Sequence, residues 1–431
     1  MLGGGIYTKQ NKVLPGTYIN FVSAAGKKEG MARGVIAMPV IMSWGPECEI
    51  MNVTKDAFEE ESLMVLGYPR TVPEMLPFRE MFRNASLVYV YRLNSGGAKA
   101  SNDHAEAVYS GQRGNDIRLV IQKNVENESL FDVRTMVDAT VVDSQTVADA
   151  SGLEDNGFVV FKKDVALTET AGMPLTGGED GSVTGAAYQN FLNALEQRSF
   201  QVIGCPTKDE STMNLFIAYT KRMREELGIK IQTVVYRASH ADYEGVISVE
   251  NSASEDETGL VYWTAGAAAA CAVNKSNTNK VYDGEYTVKV SYTQTQLSDA
   301  IRGGKFVFHQ VGDEVRVLRD INTLVTFTEE KNSDFSDNQT IRVLDTIGNG
   351  VASLFAENFM GKVPNNDSGR VSLWNEIVTV CKSLAAQQAI EPVDSEKITV
   401  AAGESKRSVV VSVSLQPVNC MDQMYMTVIV E

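Results

Sequence analysis

Histidine is scarce in this chain of 431 residues. His104, His240 and His309 lie far apart and lack metal-ligand spacing such as His-Glu-x-x-His. Cysteine is thin as well: Cys48, Cys205, Cys271, Cys381 and Cys420 stand singly, with no Cys-x-x-Cys pair. That argues against a zinc or disulfide framework and points to folding in a reducing cytoplasm. A Walker loop, a Gly-x-Gly-x-x-Gly turn and a Gly-x-Ser-x-Gly elbow are all missing. Two acidic groups, Asp242 with Glu244 and Glu255 with Asp256 and Glu257, have no ligand array around them and read as solvated side chains. No apolar run is long enough to span a bilayer, and no basic, apolar leader opens the chain. Positive charge is in deficit: a net charge of −16 argues against nucleic acid or an anionic membrane as the main partner. No catalytic residue, cofactor or metal is expected.

What the chain does have is strand-like alternation near its end. Val409, Val411, Val413 and Leu415 alternate with mostly serine, and Met424, Met426, Val428 and Val430 repeat the pattern up to the last residues. Period-two alternation of this kind marks a half-buried strand. Two fates are open to such a stretch. It completes the protein's own sheet, or it is donated to the sheet edge of a neighbouring copy. Donation is the expectation adopted for 424–430, and Val409, Val411 and Val413 are counted with it among the inter-subunit arm residues. A second short strand is expected over 17–23, with Tyr18, Ile19 and Phe21, between a glycine-rich leader and an Ala-Ala-Gly-Lys-Lys linker.

Between these arms the pattern divides. Residues 34–42 and 87–91 read as buried strands with helices near 56–66 and 74–82, which opens an α/β layer. From 95 to 176 long amphipathic helices give way to short strands and Gly, Asn, Asp and Ser turns, bounded by glycines at both ends. Gly177, Gly178 and Gly181 read as a hinge, since no Gly-Lys-Ser/Thr follows to make a phosphate cradle. Strands and helices then alternate from 187 to about 273, with a Thr207-x-x-Glu210 capping box, and a further strand is expected over 286–292. A hairpin about Gly312 and helices over 341–360 and 371–390 come next. The expected fold is an α/β core, its sheet mostly parallel or mixed with helices on both faces, carrying an inserted small all-β domain and terminal β-strand arms. The expected divisions are 1–25 (arm), 26–94 (core), 95–176 (insert), 177–340 (core), 341–407 (C-terminal α+β) and 408–431 (arm).

Several stretches in this order resemble the tail sheath proteins of contractile phages and of headless relatives such as defective prophages and contractile bacteriocins. They are Gly3-Gly4-Gly5 with Leu14-Pro15-Gly16-Thr17-Tyr18-Ile19, then Gly111-Gln112-Arg113-Gly114-Asn115-Asp116, then Leu175-Thr176-Gly177-Gly178-Glu179-Asp180-Gly181. Arg319-Asp320-Ile321-Asn322, Asn365-Asn366-Asp367-Ser368-Gly369-Arg370 and the closing 421–430 complete the set. The resemblance implies a non-enzymatic subunit of a homo-oligomeric sheath, in stacked rings or a helix around an inner tail tube. Its arms add strands to neighbours, and baseplate and tail-terminator proteins are further partners. It would assemble in the host cytoplasm and end in a virion tail or a released particle. The resemblance also turns the C-terminal helices towards the tube, which makes Lys362, Arg370 and Lys382 candidate tube contacts. Two other readings stand beside this one: an α/β enzyme with an unrecognised site, and a non-contractile tube or surface-array protein.

Overall fold

The computed structural model describes residues 33–430 and two short strands before them, Gly4–Gly5 and Thr17–Tyr18. The chain divides into two compact units, one of residues 1–36, 77–86 and 199–431, the other of residues 37–76 and 87–198. The first unit carries a run of parallel strands in the order Lys305–Phe306, Val246–Val249, Gln232–Tyr236, Val202–Cys205. The last three are buried at every position. Strands covered on both faces need apolar side chains throughout, as Val-Ile-Gly-Cys and Val-Ile-Ser-Val supply. Helices Glu210–Glu225 and Leu260–Ala270 flank them in sequence. The second helix owes its close packing to Ala265, Ala267 and Ala269, all fully buried.

Three details of this unit differ from the sequence pattern. Helix Glu210–Glu225 is capped by Asp209, whose carboxylate accepts from the Thr212 N–H at 2.7 Å. Thr207 instead accepts from the Asp209 N–H at 3.1 Å, one step outside the helix. The alternating 286–292 stretch forms no strand, being tied to residues 252–255 by a single bridge and a few bonds, among them Ser254 N–H to the Thr287 carbonyl at 3.0 Å. The hairpin about Gly312 pairs Phe308–Val311 with Glu314–Val317, while Phe306 joins the parallel strands.

In the second unit, Ile50–Thr54 pairs antiparallel with Leu87–Arg92, so the core sheet is mixed. Periodicity alone missed Ile50–Thr54, a half-exposed strand that runs straight into helix Lys55–Leu66. The insert is a β-sandwich. Its four-stranded sheet runs Thr140–Val147, Phe131–Val137, Ile117–Lys123, Thr170–Pro174. Its three-stranded sheet runs Val159–Phe161, Ala105–Ser110, Lys99–Ser101. Ile117, Leu119 and Ile121 point inward with Val133, Val137, Ala105, Ala107 and Phe161, as two facing sheets require.

The C-terminal part belongs to the first unit. Helices Asn338–Leu354 and Asp367–Ala386 share a core in which Ile347 and Leu354 meet Leu373, Ile377, Cys381 and Leu384. Strands Ile398–Ala402 and Val409–Val413 close over it as an antiparallel hairpin. Trp374 pins that hairpin by donating its indole N–H to the Ile398 carbonyl at 2.8 Å. Val409, Val411 and Val413, expected in the inter-subunit arm, pair within the chain here and, with Leu415, pack on this core.

Candidate functional site

Two junctions stand out, each joining a body to an appendage. The first is the neck of the insert. Ala98 bridges to Glu179, Ser101 bridges to Thr176, and Asn94–Ser95 pairs with Ser182–Val183. Gly97 and Gly181 face each other so closely that a Cβ on either would fall well inside contact distance of backbone. Glu47 accepts from the Gly96 and Gly97 N–H groups at 2.8 and 3.3 Å and from the Ser110 hydroxyl. Burial works to raise the pKa of Glu47, but these bonds and nearby Arg92 outweigh it and hold the carboxyl below its usual range. Asp180 accepts from the Ser43 hydroxyl at 2.8 Å and the Gln112 N–H at 3.1 Å. The expected hinge is therefore a locked neck.

The Gly-x-Arg-Gly-Asn-Asp turn supplies the rest of that lock. Arg113, buried, donates to the Gly67 carbonyl at 2.6 Å and to Asp116 at 2.9 Å, and bidentately to Asp138 at 3.0 and 2.7 Å. Its guanidinium lies 4.5 Å over the Tyr68 ring. Asn115 exchanges two bonds with the backbone of Gly178, at 2.9 and 2.8 Å. An open cleft of about 730 Å³ borders the turn, lined by Tyr68, Glu74, Gln112 and others, and its buried cation is fully engaged.

The second junction is the root of the C-terminal tail. Beyond the hairpin, the Glu391 N–H donates to the Gln416 carbonyl at 2.9 Å and the Val418 N–H to the Ala389 carbonyl at 3.0 Å. Gln339 and Thr340 hold residues 418–420, and Arg319 reaches Asp422 at 3.3 Å. Past Asp422 the chain is extended and pairs with no strand among the described residues. Met424, Met426, Val428 and Val430 are 70–90% exposed there, and Tyr425 and Ile429 are exposed as well. Fully burying one such aliphatic side chain is worth roughly 1.5–3 kcal/mol. Among the described residues the hairpin beside the root has two strands, so each has an edge that pairs with no further strand.

The other singled-out residues are placed as follows. Thr17–Tyr18 pairs in parallel with Gly4–Gly5, inside what read as the leader, while Ile19 and Phe21 lie outside the described residues. Lys362 is exposed and donates to the Glu357 carbonyl. Arg370 donates to the Asn365 carbonyl and side chain and pairs with Asp367. Lys382 is exposed on helix Asp367–Ala386.

The enzyme reading finds little to work with. His104 is buried beside the Asn102 turn, His240 is exposed 3.4 Å from Asn214, and His309 sits in a hairpin strand with its pKa lowered by burial and by Arg316. The acids near 242–257 are engaged: Asp242 caps Val325 and Thr326, Glu244 pairs with Lys331 at 2.7 Å, Glu255 binds Thr287 and Glu257 pairs with Lys208. Cys205 is buried, which pushes its thiol pKa up and makes it inert. No metal-binding group occurs among the described residues, and no described helix is long and apolar enough to cross a membrane.

Comparison with known proteins accounts for nearly the whole chain. Four family profiles match in tandem. They are the Gp18 domain III N-terminal region of tail sheath protein at 33–93, the phage tail sheath β-sandwich domain at 95–180, the sheath central domain at 181–323 and the sheath C-terminal domain at 330–431. The phage-like element PBSX protein XkdK of Bacillus subtilis is 33% identical, with 99% of both chains covered. The crystal structure of the sheath tail protein of Desulfitobacterium hafniense superposes with a TM-score of 0.81 at 36% identity, covering 95% of this chain and 99% of that one. The fold alone extends to the helical sheath of the anti-feeding prophage in its contracted state, with a TM-score of 0.55 at 11% identity over 98% of this chain and 99% of that one. The chain belongs to the phage tail sheath protein family and is a structural sheath subunit.

Proposed function

We propose that this subunit polymerises around an inner tail tube by lending residues 423–430 to the open hairpin edge of a neighbouring copy, and that the resulting sheath shortens to drive the tube through a cell envelope. One observation carries the reading: an alternating apolar tail lies extended and unpaired just beyond a two-stranded hairpin with open edges. Added to that hairpin, the tail gains a backbone ladder, and Met424, Met426, Val428 and Val430 gain a surface to cover. Such head-to-tail contacts generate a ring where the rotation closes and an open helix where it does not, so they suit stacked rings or a helical sheath. Strand 17–23, with Tyr18, Ile19 and Phe21, acts as a second arm. A mesh of donated strands lets rigid bodies rotate while backbone bonds persist. Contraction then draws on a metastable packing that relaxes, not on a catalysed reaction. Further partners are the baseplate and tail-terminator proteins. Assembly takes place in the host cytoplasm and ends in a virion tail or a released particle.

Deleting 423–431 tests this. The truncated chain is expected to stay soluble and monomeric, melt within about 2 °C of the unassembled full-length chain and form no cylinders in negative stain. Striated cylinders from the truncated chain, or a large drop in monomer melting temperature, would refute strand donation.

A further inference from the structure

Past the backbone bonds at 416–418, the root of the tail is held by side chains. Gln339 is 1% exposed, at the start of helix Asn338–Leu354. Its amide Nε2 donates to the Val418 carbonyl at 3.0 Å, and its Oε1 accepts from the Cys420 N–H at 2.9 Å. One side chain thus bonds the residues on either side of Asn419, as a residue of a parallel strand bonds its neighbour. Beside it, the Thr340 hydroxyl lies 3.1–3.2 Å from both atoms of the Asn419 amide. The helix start that carries this pair is itself fixed. Asp337 caps it, Asn338 donates to Asp320 at 3.0 Å and accepts from Gln232 at 3.0 Å, and all three first residues are buried.

We propose that Gln339 and Thr340 form a tail anchor. They are positioning residues that fix where, and in which direction, 423–430 leave the body, and they pass tension on that tail into the helix. The proposal rests on the strand-donation reading above. A tether delivers its end at an effective concentration that falls with roughly the −3/2 power of its free length. The anchor's bonds at 418–420, with the Arg319–Asp422 pair beyond them, leave about eight residues free. Loss of the anchor leaves weak ties past Val418, that partly exposed pair among them, and when they open about twelve residues are free, which costs up to about twofold in effective concentration. The fixed exit direction is lost as well. Gln339 and Thr340 are thus specific to delivery, whereas the hairpin core beneath them is specific to folding.

The test compares full-length Gln339→Ala, Gln339→Glu and Asn419→Ala with the parent, using amide exchange on unassembled protein and the half-point concentration for sheath formation. In Gln339→Ala the Cys420 amide is expected to exchange at least about tenfold faster, as a locally opened bond does, and the assembly half-point to rise about two- to threefold. Gln339→Glu keeps the acceptor for Cys420 but sets a buried carboxylate oxygen against the Val418 carbonyl, so both readouts should move at least as far as in Ala. Unchanged exchange in Gln339→Ala would overturn the anchor, and faster exchange with unchanged assembly would overturn its role in delivery. Should Gln339→Ala lose its far-UV circular dichroism, Asn419→Ala poses the same question from the exposed side. Deletion of 423–431 with normal assembly would refute strand donation itself and leave the exchange result standing.

Discussion

The neck of the insert and the root of the tail do the same mechanical job in opposite ways. Both are glycine- or polar-rich joins between a packed body and an appendage. At the neck, Glu47, Asp180, Asn115 and Arg113 bind backbone on several strands, and Gly97 lies against Gly181 with no room for a side chain. At the root, the bonds to the body end at Asp422, and every described residue after it is exposed. The neck is complete within one chain, whereas the tail has its apolar face and no surface to cover. Polar side chains that bind backbone make a join rigid, because each bond replaces one that water would otherwise make. Glycine content alone says nothing about whether a join bends.

The largest expected effect follows from that contrast. Gly97→Val or Gly181→Val forces backbone apart at the neck and should cost about 3 kcal/mol or slightly more, the upper part of the range for overpacking. Urea unfolding followed by the near-ultraviolet signal of buried Trp44 reads it directly. Met426→Ser with Val428→Ser, both in the exposed tail, should change monomer stability by less than about 0.5 kcal/mol while abolishing sheath formation. Equal monomer stabilities for the neck and tail variants would erase the distinction.

Much of this was legible in residue order. Alternation at 409–415 and the continuous apolar runs gave the hairpin face and the buried strands, because burial on one or both faces leaves that mark. The glycine clusters bounding the insert were visible too, but their role was not. A hinge glycine and a close-approach glycine are identical in sequence, and Glu47, which locks the neck, lies far from it in the chain. The tail anchor was invisible for a similar reason. Gln339 carries no pattern, and its bonds to Val418 and Cys420 span about eighty residues. The failed strand at 286–292 shows the limit of alternation: without a partner strand in register, an alternating stretch is only extended chain.

Acid should also separate the two junctions. At the root, burial and the neighbouring Asp320 carboxylate raise the Asp337 pKa to about 6, while Arg319, Arg342 and the Gln339 N–H pull the other way. A carboxyl whose pKa is higher folded than unfolded binds its proton more readily in the native state. Its contribution to stability therefore grows as pH falls from about 6 towards the unfolded value near 4. At the neck, Glu47 has the opposite sign: its contribution is full above the unfolded value and is lost as pH falls through its lowered folded pKa. Asp337→Asn keeps a capping side chain and should flatten the stability profile of the first unit between pH 4 and 6, leaving the neck's acid sensitivity in place. Glu47→Gln should do the reverse, at lower pH. A profile unchanged between pH 4 and 6 in Asp337→Asn would show that this carboxyl does not titrate there.

The smallest effects belong to the three cations proposed to face the tube, and here the comparison decides which of them matter. Lys362 and Arg370 resemble the neck, since Glu357, Asn365 and Asp367 of the same chain already take up their donors. Lys382 resembles the tail, exposed on a helix whose apolar stripe is buried elsewhere. Exposed ion pairs contribute about 0.2–1 kcal/mol each and are screened over about 8 Å at physiological salt. Lys382→Glu should therefore weaken co-sedimentation with the tube by about 1.5- to 5-fold at low salt, and the difference should vanish as salt rises. Arg370→Glu should act first on its own turn, loosening the start of helix Asp367–Ala386, with a change in helix exchange that salt does not restore. Tube docking that stays flat from low to high salt, or is indifferent to reversal at Lys382, would leave the proposed tube contact to shape and apolar surface alone.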